Sequence, residues 1–259
     1  FQPAEEGGGG GNVMVKEGLF EKFPVDAVYG MHNWPGMEPG EIGVHNGPVL
    51  AANDAFDLEI QGKGGHAAMP DLCIDPILAA SQVVSALQSV VSRGINPVDS
   101  AVVTVTQIHA GDAYNVIPES AMLSGTVRTF AIEKMQEIER QMISISEGIS
   151  KAHGGTALVE FNTLFLPVLN EEEATDLATE VCRDMVGQDN VITTGSAGTG
   201  SEDFSFMSNE IPGCYVIIGN GEDSNALHNP NFDFNDEALV YGGSFFARVI
   251  EKELALDQV

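Results

Sequence analysis

Residues 55–62 read AFDLEIQG and residues 75–93 read DPILAASQVVSALQSVVSR, and these two stretches, with the segments up to residue 163, decide the fold. In the first, apolar Phe56, Leu58 and Ile60 alternate with polar Asp57 and Glu59, the two-residue period of a strand with one buried face. In the second, Asp75 stands as an N-cap, Pro76 takes the first helical position, and Ile77, Ala80, Val84, Leu87 and Val91 fall on one helical stripe. AVVTVTQIHAG (101–111) is rich in β-branched side chains and SAMLSGTVRTF (120–130) alternates, so two strands come next. Met135, Ile138, Met142, Ile145 and Ile149 then recur at helical spacing up to a terminating Gly154. TALVEFN (156–162) closes the set as a strand. The order β-α-β-β-α-β over residues 50–163 is that of a split βαβ, ferredoxin-like unit.

On either side the pattern changes. NVMVKEGLF (12–20) reads as a short amphipathic helix and VDAVYGMHNW (25–34) as a buried strand running into a loop, with a Pro/Gly-rich passage from Pro35 to Pro48 marking a boundary. Beyond 163, EEEATDLATEVCRDMVG (171–187) is helical and CYVIIG (214–219) is a buried-strand run. DEALVYGGSFFARVIEKEL (236–254) is a last amphipathic helix, with Leu239, Phe246 and Ile250 expected inward. Neither flank has the strands of a complete sheet. Residues 1–49 and 164–259 are therefore expected to be two pieces of one α/β domain, interrupted by the unit at 50–163.

The 259 residues are 43% hydrophobic, enough for a sizeable core. A formal charge of −27 with only 11 Lys plus Arg argues against nucleic acid and anionic membrane surfaces as partners. No apolar run approaches the roughly 20 residues of a membrane-spanning helix, and residues 1–11 do not read as a secretory leader. Cys73, Cys182 and Cys214 are scattered and odd in number, so a reducing, cytoplasmic setting is expected rather than a disulfide framework.

Metal-type donors are concentrated in a few places. His32 ends an apolar strand in YGMHNWPG, and His228 sits in a loop crowded with Asn and Asp. His66, in GKGGHAAMP, is flanked by small residues that let a ligand approach the backbone, although an ordinary turn histidine has the same surroundings. His45, His109 and His153 stand in plain strand or helix-end contexts. Glu5 and Glu6 read either as a solvated turn before a flexible glycine linker or, at a strand end, as one metal ligand and one general base.

FQPAEEGGGG (1–10), GMHNWPG (30–36), GKGGHAAMP (62–70), AGDAYNVIPE (110–119), GTVRTF (125–130), SEDFSFM (201–207) and LHNPNFDFND (227–236) occur in this order over essentially the whole chain. Together they resemble the hippurate hydrolase and auxin-conjugate amidohydrolase branch of the aminoacylase/carboxypeptidase metallopeptidases. The resemblance implies a zinc-peptidase-like α/β catalytic domain with an inserted lid and dimerisation domain, acting as a homodimer on small N-acyl amino acids. It implies two divalent metal ions per complete site, zinc or manganese. Matched residue by residue, Glu5 is the implied general base, and Glu6, His32 and His228 are implied metal ligands. His66 is implied to stabilise the oxyanion in the partner subunit's site, and Asn115 and Arg128 to hold the substrate carbonyl or carboxylate. The Arg128 fork suits a carboxylate, and an exposed salt bridge suits it equally.

There are departures. Asp71 stands where related sequences often carry His, and GTGSEDF replaces the more usual SMGSEDF. Glu202 and Asp203 acquire no role beyond capping a turn or helix. The family's further ligands, a His and a Cys or Asp, lie in a segment that precedes the glutamate pair. The chain is thus expected to correspond to the later two-thirds of such an enzyme, with an incomplete site, weak metal binding and impaired hydrolysis. A reading of another class stays open, a non-enzymatic dimerising or ligand-binding module built on the lid sheet.

Overall fold

The structure, a computed structural model, describes residues 2–195 and 197–254. The backbone divides into two compact units, one formed by residues up to 50 together with those from 168 onward, the other by residues 51–167. In chain order the first unit opens with α1 (Glu5–Gly8), α2 (Gly10–Lys16), α3 (Leu19–Lys22), β1 (Val28–Pro35), β2 (Ile42–Gly43) and β3 (Gly47–Leu50). The second unit holds β4 (Ala52–Gln61), β5 (Gly65–His66), α4 (Pro76–Ser89), β6 (Ala101–His109), β7 (Val116–Ile117), β8 (Ser120–Thr129), α5 (Ile132–Ala152) and β9 (Thr156–Phe165). The first then resumes with β10 (Val168–Asn170), α6 (Glu172–Val186), β11 (Val191–Ile192), α7 (Ser205–Ser208), β12 (Gly213–Gly221) and α8 (Ala238–Glu253). The single helix expected over 12–20 is broken in two by Gly18, whose φ of 85° ends α2 and starts α3. The inserted unit runs past 163 because β9 continues to Phe165.

In the inserted unit the four long strands form an antiparallel sheet in the order β6-β8-β4-β9. Strand alternation turns Phe56, Leu58 and Ile60 onto Val83, Leu87, Ile138 and Met142 of α4 and α5, while Asp57 points away. Asp75 caps α4 by accepting from the Ile77 and Leu78 N–H groups at 2.9 and 3.4 Å. The buried face of α4 is Pro76, Ala79, Ala80, Val83 and Leu87, so Ile77, expected inward, is 45% exposed. The two alanines let the helix approach the sheet closely, and that rotates the stripe. α5 buries Met135, Ile138 and Met142 and is ended by Gly154 at φ 85°.

The first unit has three layers. Its sheet, in the order β1-β12-β2-β11, pairs β1 with β12 in parallel, β12 with β2 antiparallel and β11 with β2 in parallel, which leaves β1 at an edge. Along β12, Cys214, Val216 and Ile218 face α6 and α8, joining Ala178, Val181, Phe245 and Val249. Tyr215 and Ile217 face the other way, joining Met14, Val15, Phe204 and Met207 from α2, α7 and their flanks. The expected inward face of α8 needs correction: Leu239, Phe246 and Ile250 are exposed, and Ala238, Gly242, Phe245 and Val249 are buried. Gly242 lies on this buried face, against Met31 of β1 and Ile218 of β12. Among the described residues no helix is long and apolar enough to cross a membrane.

Buried polar groups interrupt the apolar pattern, Asp54 among them. Asp54, on the helix-facing side of β4, is fully buried, and its polar neighbours Thr163 and Glu139 stand outside full hydrogen-bond geometry. Burial raises its pKa, and that of Glu139 is raised by burial and by the Asp54 charge. A raised carboxyl contributes stability that is complete below its unfolded value, about 3.9, and lost as pH rises through the folded value. Asp54→Asn, which mimics the protonated acid, is expected to match the wild type in urea unfolding near pH 4. It should exceed the wild type by a growing margin as pH rises to about 8.

Candidate active site

The first unit carries Glu5, Glu6, His32 and His228. Glu5 and Glu6 open the four-residue α1, which begins after Ala4 in the left-handed region (φ 53°) and ends at Gly9, also left-handed (φ 56°). Residues 9–11 are a close-fitted support and not a flexible linker. Gly10 and Gly11 are buried, and a Cβ on Gly11 would lie 2.7 Å from the Asp203 carbonyl oxygen and 2.9 Å from its Cγ. Among the described residues, Ala4 and His228 (φ 62°) are the non-glycine residues with positive φ, and both adjoin the candidate ligands. Backbone strain of this kind persists where the surroundings over-determine it, as at functional sites.

Glu6 Oε2 lies 3.6 Å from His228 Nδ1, with both side chains about three-quarters exposed. Two ligands bound at about 2.1 Å to one tetrahedral zinc ion stand about 3.4 Å apart, so this oxygen–nitrogen pair has the chemistry and the spacing of two donors to one divalent ion. His32 stands inside β1, which runs on to Pro35 rather than ending at the histidine as expected, and its Nδ1 is 2.5 Å from the Asn33 carbonyl oxygen. A carbonyl can only accept, so Nδ1 carries the proton and Nε2 presents a lone pair, the tautomer of a metal-binding histidine. The structure brings Glu6 and His228 together and does not bring His32 to them. Among the described residues no three His, Cys, Asp or Glu side chains are grouped closely enough to hold an ion.

Glu5 is half-buried, and its pKa is pushed up to about 7, first by burial and then by the charges of Glu202, Asp203 and Glu6. A hydrogen bond from the Asp203 backbone N–H pulls in the opposite direction. The shift places the carboxyl where a general base serves near neutral pH. In the metal-free chain its contribution to stability, complete below the ordinary carboxylate range, is lost as pH rises toward 7.

Behind Glu5 stand the two residues to which sequence reasoning assigned no role. Glu202 is nearly buried and Asp203 fully so. Glu202 accepts from the Tyr215 hydroxyl at 2.6 Å, from the Gln2 amide at 2.8 Å and from the Phe204 N–H at 3.2 Å. The signal available in the sequence was an acidic pair directly followed by the apolar, aromatic run FSFM, where charges have to be buried with partners.

In the inserted unit, β5 pairs with β7 so that His66 stands opposite Val116, and the Ala67 N–H donates to the Asn115 carbonyl at 3.0 Å. His66 and Asn115 thus share one short ribbon. The Ala68 N–H donates to His66 Nδ1 at 3.1 Å, so the neutral ring carries its proton on Nε2 and offers a donor. Arg128 is on β8 opposite Asn53 of β4, on the face turned away from the helices, with its pKa lowered by burial. The other histidines find ordinary partners: His45 with the Asn46 carbonyl, His109 with Gln107 and His153 with Gln82.

Residues 1–252 match the family described as peptidase family M20/M25/M40. The chain belongs to this family. It is 37% identical over 254 residues to a hippurate hydrolase of Campylobacter jejuni, covering 98% of this chain and 66% of that protein. It is 40% identical over 250 residues to an N-acetylcysteine deacetylase of Bacillus subtilis, covering 96% and 64% respectively. A solved Bacillus subtilis structure described as a dinuclear metal-binding peptidase of the M20 family superposes with a TM-score of 0.82 at 33% identity, covering 98% of this chain and 64% of that one. The chain therefore spans somewhat less than two-thirds of the length of these M20 relatives.

Tyr215 is buried in the sheet and its pKa is raised by burial and by Glu202. Tyr215→Phe removes a donor from a buried carboxylate and is expected to lower stability by about 1–3 kcal/mol, read from urea unfolding monitored by far-UV circular dichroism.

Proposed function

We propose that this chain contributes to a metal-dependent amidohydrolase that cleaves the amide bond of N-acyl amino acids, with Glu5 as general base. The observation that carries the reading is the approach of Glu6 to His228 at 3.6 Å beside a glutamate whose pKa is pushed up to about 7. The activities for which the M20 relatives are named, hippurate hydrolysis and N-acetylcysteine deacetylation, support the substrate class.

In this reading Glu6 and His228 hold one divalent ion, and His32, with its Nε2 lone pair, belongs to the same two-ion ligand set. Zinc or manganese, when bound, lowers the pKa of coordinated water toward about 7 and polarises the amide carbonyl. Glu5 takes the proton from the attacking water and returns it to the leaving amine, a transfer worth about 10²- to 10⁴-fold in rate. His66 donates its Nε2–H to the oxyanion, Asn115 orients the carbonyl, and the Arg128 fork pairs with the substrate carboxylate. The inserted unit, with its β-α-β-β-α-β order, serves as a ferredoxin-like lid and dimerisation domain. His66 acts in a homodimer from one subunit on the site of its partner. The buried Cys182 and Cys214 and the partly buried Cys73 are free thiols, which supports a cytoplasmic setting. With Glu6 and His228 as the converging pair, metal binding by this chain is weak and its hydrolysis impaired. A non-enzymatic module built on the lid sheet is not favoured, because the family match runs through both units.

Calorimetric titration with zinc and manganese tests the ligand set. Glu6→Ala and His228→Ala are each expected to weaken binding about tenfold or more, while His45→Ala leaves it unchanged. Glu5→Gln should retain the metal and lose whatever hydrolysis of N-benzoylglycine the wild type shows. Unchanged affinity in both ligand variants would overturn the assignment.

A further inference from the structure

We propose that Asp203 is a positioning residue that holds the Glu5 carboxylate in place by clamping both ends of the segment that carries it. The inference rests on the reading of Glu5 as the base for its catalytic meaning, but the clamp itself stands on contacts within the first unit. Asp203 Oδ2 accepts from the Gly11 N–H at 2.6 Å, and Oδ1 accepts from the Gln2 side-chain amide. One residue thus grips the chain both before and after Glu5.

The segment needs such a grip. A four-residue helix fixes its backbone with too few internal hydrogen bonds to persist alone, and α1 is bounded at both ends by left-handed residues. The clamp is anchored in turn. Glu202 shares the Gln2 amide with Asp203 and accepts from the Tyr215 hydroxyl, whose ring packs against Phe204 at 5.3 Å between centroids on the central strand β12. A fully buried carboxylate with two N–H donors has charge-assisted bonds, stronger than neutral ones. Asparagine cannot replace it, because its amide would turn a donor toward either Gly11 or Gln2.

Amide hydrogen exchange read by mass spectrometry and NMR separates a local clamp from general stability. In Asp203→Ala the Gly11 amide and its neighbours in residues 5–11 should exchange about tenfold or more faster, while β12 and α8 amides keep their wild-type rates. In the N-benzoylglycine assay kcat should fall about 10²-fold with KM within about twofold, the signature of a misplaced base. If Asp203→Ala does not fold, Gly11→Ala reaches the same contact from the other side, since its methyl intrudes on Asp203 while the carboxylate stays. Unchanged exchange at 5–11, or exchange that rises equally in every element, would overturn the clamp. Full hydrolysis by Glu5→Gln would instead overturn the base assignment and leave the exchange result to decide the clamp.

Discussion

The two-residue alternation of β12 is the constraint on which the first unit depends. Its even-numbered side chains, Cys214, Val216 and Ile218, make one core with α6 and α8, and Tyr215 and Ile217 make another with α2 and α7. A strand buried on both faces has no polar face to spare, so CYVIIG is apolar throughout. The Tyr215 hydroxyl, carried inward from this run, is spent on Glu202. The placement of Glu5 depends on that bond, because Glu202 and Asp203 are neighbours in the chain and Asp203 touches the segment around Glu5.

Much of the inserted unit was readable because each signal there is local. Asp75 followed by Pro76 specifies a helix start within three residues, and the alternation of Phe56, Leu58 and Ile60 specifies which side of β4 is buried. The inward face of α8 was not readable for a physical reason. Its apolar residues occupy two adjacent faces, and the choice between them is made by packing of Ala238, Phe245 and Val249 against β12 and α6, contacts between residues distant in sequence. The same limit applies to α4, where Ala79 and Ala80 win over the larger Ile77.

At the candidate site the residue types were visible and their support was not. Glu5, Glu6 and His228 stand out by chemistry and motif, but a run of glycines looks the same whether it is loose or tightly packed. Only the proximity of Asp203 to Gly11 distinguishes the two. The histidines also divide by neighbours that a sequence hides. A carbonyl beside His32 Nδ1 leaves a lone pair on its far nitrogen, whereas an N–H beside His66 Nδ1 makes its far nitrogen a proton donor.

The acidity of the chain has a colloidal consequence. A formal charge of −27 keeps copies apart by mutual repulsion. That repulsion acts over a Debye length of about 8 Å at physiological ionic strength and about 3 Å in molar salt. Concentrated salt therefore strips away that barrier, and the acidity of this chain acts as its own dispersant only while the solvent is dilute.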